Sequence, residues 1–265
     1  MLAKEGYWLG KRALFTVTTG RSGSNLLTEV LSCRSSICSL HEPSPSFDSV
    51  MSLVQQYPFV ANEFLLKKKK KAIERSLGQK LIYSESSHLF CKGFLEAWLD
   101  IDELPIPDLI CLDRDLRKVS KSLYQLNTIP ARTWKGVRYY LSPSDGRNLT
   151  ALPDWKSLND YQLCFWYCLE IEARKKHYAS LISEHGGLCL HTSIDKLTDS
   201  DSFEQFCTEL NLPEFSVIGR LRYKRIIGRM VNHKGHKKGG ELSNDQLDEW
   251  EGEVSDRIEK SCVSL

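Results

Sequence analysis

The chain has 265 residues, 41% hydrophobic and 26% charged, with a formal net charge of +2. This composition describes an ordinary soluble globular protein with chain enough for one α/β domain, and the charge is too even for a surface built to hold nucleic acid or a membrane. The stretch Met1-Leu2-Ala3-Lys4-Glu5-Gly6-Tyr7 has no apolar h-region, and no apolar run of about 18 residues follows, so neither a signal peptide nor a transmembrane helix is expected and the cytoplasm is the expected compartment. The nine cysteines are scattered, with no Cys-x-x-Cys pair, and several sit in apolar runs such as Leu109-Ile110-Cys111-Leu112. They read as reduced, buried small hydrophobes. Cys164 and Cys168 share a helix face but lack a second ligand pair nearby, so no metal site is expected.

In chain order, the stretch Ala13 to Leu31 reads as a buried strand, a tight turn rich in small residues, and a helix with Leu26, Leu27, Val30 and Leu31 on one face. Between strand and helix runs Gly20-Arg21-Ser22-Gly23-Ser24-Asn25. Glycines here let the backbone bend and approach a ligand, successive N–H groups then point into one concavity at a helix start, and Arg21 adds positive charge: the ingredients of an anion site. The spacing is not that of a Walker A loop, which needs four residues between its glycines and then Lys with Ser or Thr.

Ser36 to Leu40 is a second strand, stopped by His41-Glu42-Pro43-Ser44-Pro45. Residues 47 to 77 read as helical, and their lysine run Lys67 to Lys71 reads as a solvated helix face. Lys80 to Ser84 is a third strand that delivers Glu85 and His88 at its end, and Phe90 to Leu99 a helix. Asp108 to Asp113 is a fourth strand, of the continuous apolar kind buried in parallel sheets, leading into a basic helix. Arg114 and Ser122 lie two helical turns apart on one side, a pair able to clamp a phosphate. Residues 127 to 159 are irregular, and a stretch that long is expected to be functional. Tyr161 to Ser183 is the longest helix, with Glu170 and Arg174 as an i,i+4 pair. Leu188 to Thr192 is a fifth strand, Ser202 to Leu210 a helix, and a basic Lys-Gly segment precedes an acidic helix at 242 to 258. Alternating strands and helices predict an α/β fold: a single domain over residues 1–265, with a central parallel sheet of about five strands flanked by helices.

The Gly20 to Asn25 loop after the first strand, and Arg114 with Ser122 after a later one, resemble the PAPS-dependent sulfotransferase family, of the soluble, bacterial natural-product type. The resemblance implies a P-loop NTPase-like sulfotransferase fold and sulfuryl transfer from 3'-phosphoadenosine 5'-phosphosulfate (PAPS) to a hydroxyl or amine. The acceptor implied is a small molecule, a secondary metabolite such as an alkaloid or polyketide. It further implies that Gly20, Arg21, Ser22, Gly23, Ser24 and Asn25 hold the 5'-phosphosulfate and that Arg114 and Ser122 hold the 3'-phosphate, with 3'-phosphoadenosine 5'-phosphate (PAP) as product and no metal. Residues 231–240 resemble the family's cofactor loop, giving Lys234 and Gly235 a share in the 3'-phosphate, and 127–159 would be the acceptor lid. Arg21 stands where the family often has Lys, and Asn25 where it has a hydroxyl.

Transfer also needs a base for the acceptor proton. His88 is the first candidate, since an imidazole titrates near neutrality and a histidine after this strand resembles the family's catalytic one. Glu42 is the second and Glu85 the third. Two rivals remain: a P-loop small-molecule kinase, with Asp113 as its magnesium ligand, and a nucleotide-binding module without catalysis.

Overall fold

Strand β1 (Arg12–Val17) alternates Leu14 to one face of a sheet with Ala13, Phe15 and Val17 to the other, and all four are fully buried. Such a strand needs cover on both sides, which is the condition of a parallel sheet. In this computed structural model, which describes residues 6–230 and 242–263, the order is β1, α1 (Ser24–Leu31), β2 (Ile37–His41), α2 (Met51–Gln56), α3 (Phe59–Phe64), α4 (Lys70–Leu77), β3 (Ile82–Ser86), α5 (Phe94–Leu99), β4 (Asp108–Asp113), α6 (Leu116–Gln125), α7 (Trp134–Tyr139), α8 (Asp160–Glu184), β5 (Cys189–Ser193), α9 (Ile194–Thr198), α10 (Ser200–Glu209), α11 (Val217–Met230) and α12 (Asn244–Val263).

The five strands pair in parallel in the order β2-β3-β1-β4-β5. Helices α1, α9, α10 and α11 pack on the Leu14 side, and α4, α5, α6 and α8 on the Phe15 side, with α12 packed on α8. The chain leaves β1 toward β3 and β2 on one side and returns to β4 and β5 on the other. Loops that follow neighbouring parallel strands then meet at one edge, the place where open α/β sheets bind ligands. Helix α8 is anchored by a capping box between Asn159 and Gln162. It braces that edge from beneath: Tyr167 donates to the Thr19 carbonyl at 3.0 Å and Lys175 to Asp113 at 2.9 Å.

Two local expectations change. The 127–159 segment contains α7 and a 3-10 turn at Trp155–Ser157, and it is tied down rather than free. Glu170, paired with Arg174 at 2.6 Å, accepts from the Leu149 and Thr150 amides. The lysine run is not one solvated face either. A π-turn at Leu65–Lys69 shifts the helical phase, and Lys69 is 1% exposed, donating to Glu85 at 2.9 Å and to the Pro43 and Pro45 carbonyls.

Candidate active site

The turn after β1 is built in the left-handed region: φ is +75° at Gly20, +58° at Arg21 and +96° at Gly23. Glycine meets this without strain at two of the three positions, and Gly23 has a second reason. A Cβ there would lie 2.6 Å from Ile194 Cγ1. Gly23 is also the N-cap of α1 and has no side-chain cap to offer. The backbone N–H groups of Arg21, Ser22, Gly23, Ser24 and Asn25 consequently meet no protein acceptor among the described residues. Five orphaned donors around one helix start suit an anion.

Two guanidiniums flank them. Arg114, just past β4, donates to the Arg21 carbonyl. Arg21 Nε in turn reaches Ser122 Oγ at 3.4 Å, so the two sequence motifs meet in space. Neither arginine has a carboxylate in ion-pair contact among the described residues. Burial, together with the neighbouring Arg21 charge, holds Arg114 below the ordinary arginine value. A bound anion would relieve both.

A cleft of about 380 Å³ is lined by Gly20, Arg21, Gly23, Ser24, Asn25, His41, Glu42, His88, Arg114, Tyr140 and Ile194. A second pocket of about 480 Å³ shares Arg114 and Ile194 with it and is also lined by Asp113, Lys118 and Ser193, and a third of about 200 Å³ shares Tyr140 and is also lined by Met51, Val137, Asp145 and Trp155. His88 is one of the residues that line the first of these. Crossed hydrogen bonds between Thr16 and Ser87, at 3.0 and 2.9 Å, fix the backbone just before it. Its ring packs against Gly20, where an added Cβ would be 3.4 Å from Cγ. Nε2 is 3.5 Å from Glu42 Oε1, and Nδ1 is 3.0 Å from Lys92 Nζ. Burial, then the Lys92 charge, pushes His88 well below the usual imidazole value, so the ring is neutral at working pH.

No protein-family model matches the chain, and no curated protein matches it in sequence. Among solved structures, the sulfotransferase domain from the curacin biosynthetic pathway superposes with a TM-score of 0.51 at 14% identity, covering 92% of this chain and 98% of that one. The fold is that of a sulfotransferase domain. The sulfotransferase domain from the Synechococcus PCC 7002 olefin synthase is also similar, at TM-score 0.49 and 12% identity over 92% of this chain and 94% of that one.

Within this sulfotransferase fold the cleft gathers Gly20, Arg21, Gly23, Ser24, Asn25, Arg114, Glu42 and His88, as the motifs imply. Three expectations shift. Ser22 is fully buried and its hydroxyl turns inward, donating to the Gly20 carbonyl at 3.0 Å and sharing a bond with Thr19 Oγ1, so only its N–H is offered to a ligand. Ser122 acts on Arg21 rather than lining the cleft. Glu85 does not line the cleft: it is fully buried, accepting from Lys69 at 2.9 Å and Tyr83 at 2.5 Å. Of the basic and aromatic residues in 127–159, Tyr140 lines the cleft, whereas Trp134 is 67% exposed and Arg138 and Arg132 pair with Asp48 and Asp160. Lys234 and Gly235 lie outside the described residues.

The sequence puts His41 beside Glu42 at a strand end without giving it a role, and does not single out Lys92. His41 Nε2 lies 3.0 Å from Ser24 Oγ and so braces the loop from β2. Lys92 follows His88 by four residues in the turn that precedes α5, a spacing visible in the sequence, but its burial is not.

Proposed function

We propose that residues 1–265 form one domain that transfers a sulfuryl group from PAPS to a hydroxyl or amine of a small-molecule acceptor, a secondary metabolite such as an alkaloid or polyketide. The observation that carries this is one cleft that gathers the turn after β1, whose N–H donors meet no acceptor among the described residues, two arginines with no carboxylate contact there, and the His88–Glu42 pair. The similar fold of a sulfotransferase domain from a biosynthetic pathway supports an acceptor of that kind. The donor, when bound, supplies sulfur that bonds to the acceptor atom as its bridge to the 5'-phosphate breaks, the electron pair leaving with the phosphate.

Arg21 and the loop N–H groups hold the 5' end and stabilise the charge that gathers on the leaving phosphate, an electrostatic contribution aimed where charge develops. Arg114 grips the 3'-phosphate, and the sequence resemblance gives Lys234 and Gly235 a share in it. His88 takes the acceptor proton, with Glu42 beside it to stabilise the imidazolium. The space behind Tyr140 receives the acceptor body. A P-loop kinase would use Asp113 for magnesium, but both of its oxygens are engaged, one by Lys175 and the other by His191, each at 2.9 Å.

Calorimetry with PAP, adenosine 5'-phosphate and magnesium ATP tests the reading. PAP is expected to bind tightest, and Arg114→Ala to weaken it about 30-fold, the equivalent of about 2 kcal/mol for a charge-assisted contact, leaving the 5'-monophosphate unchanged. Preference for magnesium ATP would put the kinase first.

A further inference from the structure

A neutral imidazole carries one hydrogen, and the partner of one nitrogen decides which nitrogen holds it. In His88 the nitrogen on the Glu42 side of the cleft is Nε2, and the other, Nδ1, lies 3.0 Å from Lys92 Nζ. Lys92 is 0% exposed. Its Nζ also donates to the Tyr139 carbonyl and lies 4.9 Å from the ring centres of both Tyr140 and Tyr167, with no carboxylate in ion-pair contact among the described residues. An ammonium has three donors and no lone pair, whereas an amine can accept one hydrogen bond.

We propose that Lys92 is a positioning residue that selects the tautomer of His88: as an ammonium it donates to Nδ1 and leaves the hydrogen on Nε2, and as an amine it accepts from Nδ1–H and frees Nε2 as a base. This deepens the sulfotransferase reading and rests on it for the final step. There, the acceptor's proton moves to Nε2 while the hydrogen on Nδ1 already points at the Lys92 lone pair, so the new positive charge is shared with the amine. With Lys92 charged, Nε2–H has no lone pair to give and points at Glu42.

The exchange falls in the physiological range. Burial, the largest cause, pushes Lys92 down to about 7, with Arg174 acting in the same direction and Cys91, Glu42 and Asp145 opposing. Tyr140 and Tyr167 face it as neutral phenols, burial holding both above their ordinary values. His88 stays neutral throughout, because its own value lies well below the imidazole norm.

Imidazole 15N shifts of His88 in the full chain, from about pH 6 to about pH 9 without any ligand, read the tautomer directly. The expected result is Nε2–H at the acid end and Nδ1–H at the alkaline end, crossing near the Lys92 value, and a single tautomer at every pH in Lys92→Met. One tautomer throughout in the wild type overturns the proposal, and so does a crossing that survives in Lys92→Met. The wild-type titration decides alone should the variant not fold. PAP binding is measured on the same sample: its failure sinks the sulfotransferase reading and leaves the tautomer result standing. Given turnover, kcat should rise through the same pH interval with KM for the donor unchanged.

Discussion

Lys69 and Lys92 are buried to the same depth on either side of β3, and the difference between them lies in what each meets. Lys69 finds a carboxylate, Glu85, and two proline carbonyls. Lys92 finds an imidazole, one carbonyl and two aromatic rings. A buried ammonium with a carboxylate partner forms a fixed internal pair, and loss of either member leaves an uncompensated charge. One without such a partner gives up its proton more readily. Identical side chains thus serve as a staple in one place and as a titratable group in the other, and only Lys92 touches residues that line the cleft, His88 and Tyr140.

Breaking the staple should have the largest effect. Lys69→Met strands Glu85 among apolar neighbours and should cost about 3–5 kcal/mol in urea unfolding. Burial already holds Glu85 above the usual carboxylate range, so part of the loss will be met by its taking up a proton, and adding Glu85→Gln should recover much of the stability. If Lys69→Met were as stable as the wild type, the contrast between the two lysines would collapse.

The second test exploits the sign of the Lys92 shift. Its folded value, about 7, lies below the unfolded value near 10.4, so between these limits the unfolded chain binds the extra proton and stability contributed by this group rises with pH. Measured against Lys92→Met, which lacks the group, wild-type stability should gain about 3 kcal/mol between about pH 7 and about pH 9.5. Other titrating groups cancel in that difference. A flat difference would mean that Lys92 stays charged in the folded protein, and the tautomer argument would fall with it.

Much of this was legible in the sequence and some was not, for reasons tied to length scale. The strands were visible because burial on both faces writes a continuous apolar run, as in Leu109-Ile110-Cys111-Leu112, and the loop was visible because left-handed backbone demands glycine at Gly20 and Gly23. Parallel pairing then forced the strand-end residues Arg21, Glu42, His88 and Arg114 to one edge. What stayed hidden depends on side-chain direction. Ser22 and Ser24 are both small hydroxyl residues of one loop, yet one turns inward to Gly20 and the other toward His41. Glu85 and His88 both sit at the end of β3, but pleat alternation sends Glu85 with Tyr83 into the Phe15 face, and only His88 reaches the cleft.

The smallest expected effect comes from a residue two positions before the staple. Lys67 and Lys69 are indistinguishable in a run of five lysines, and the π-turn at Leu65–Lys69 carries only the second of them inward. Lys67 instead pairs with Glu63 at 2.8 Å, one turn earlier, with both side chains more than half exposed. A solvated i,i+4 pair is screened by water and salt and must immobilise two long side chains to form. Lys67→Ala should therefore change unfolding free energy by no more than about 0.5 kcal/mol, and moderate salt should erase even that. A loss comparable to that of Lys69→Met would show that the run acts as one unit, and that burial of a single lysine is not what separates the staple from its neighbours.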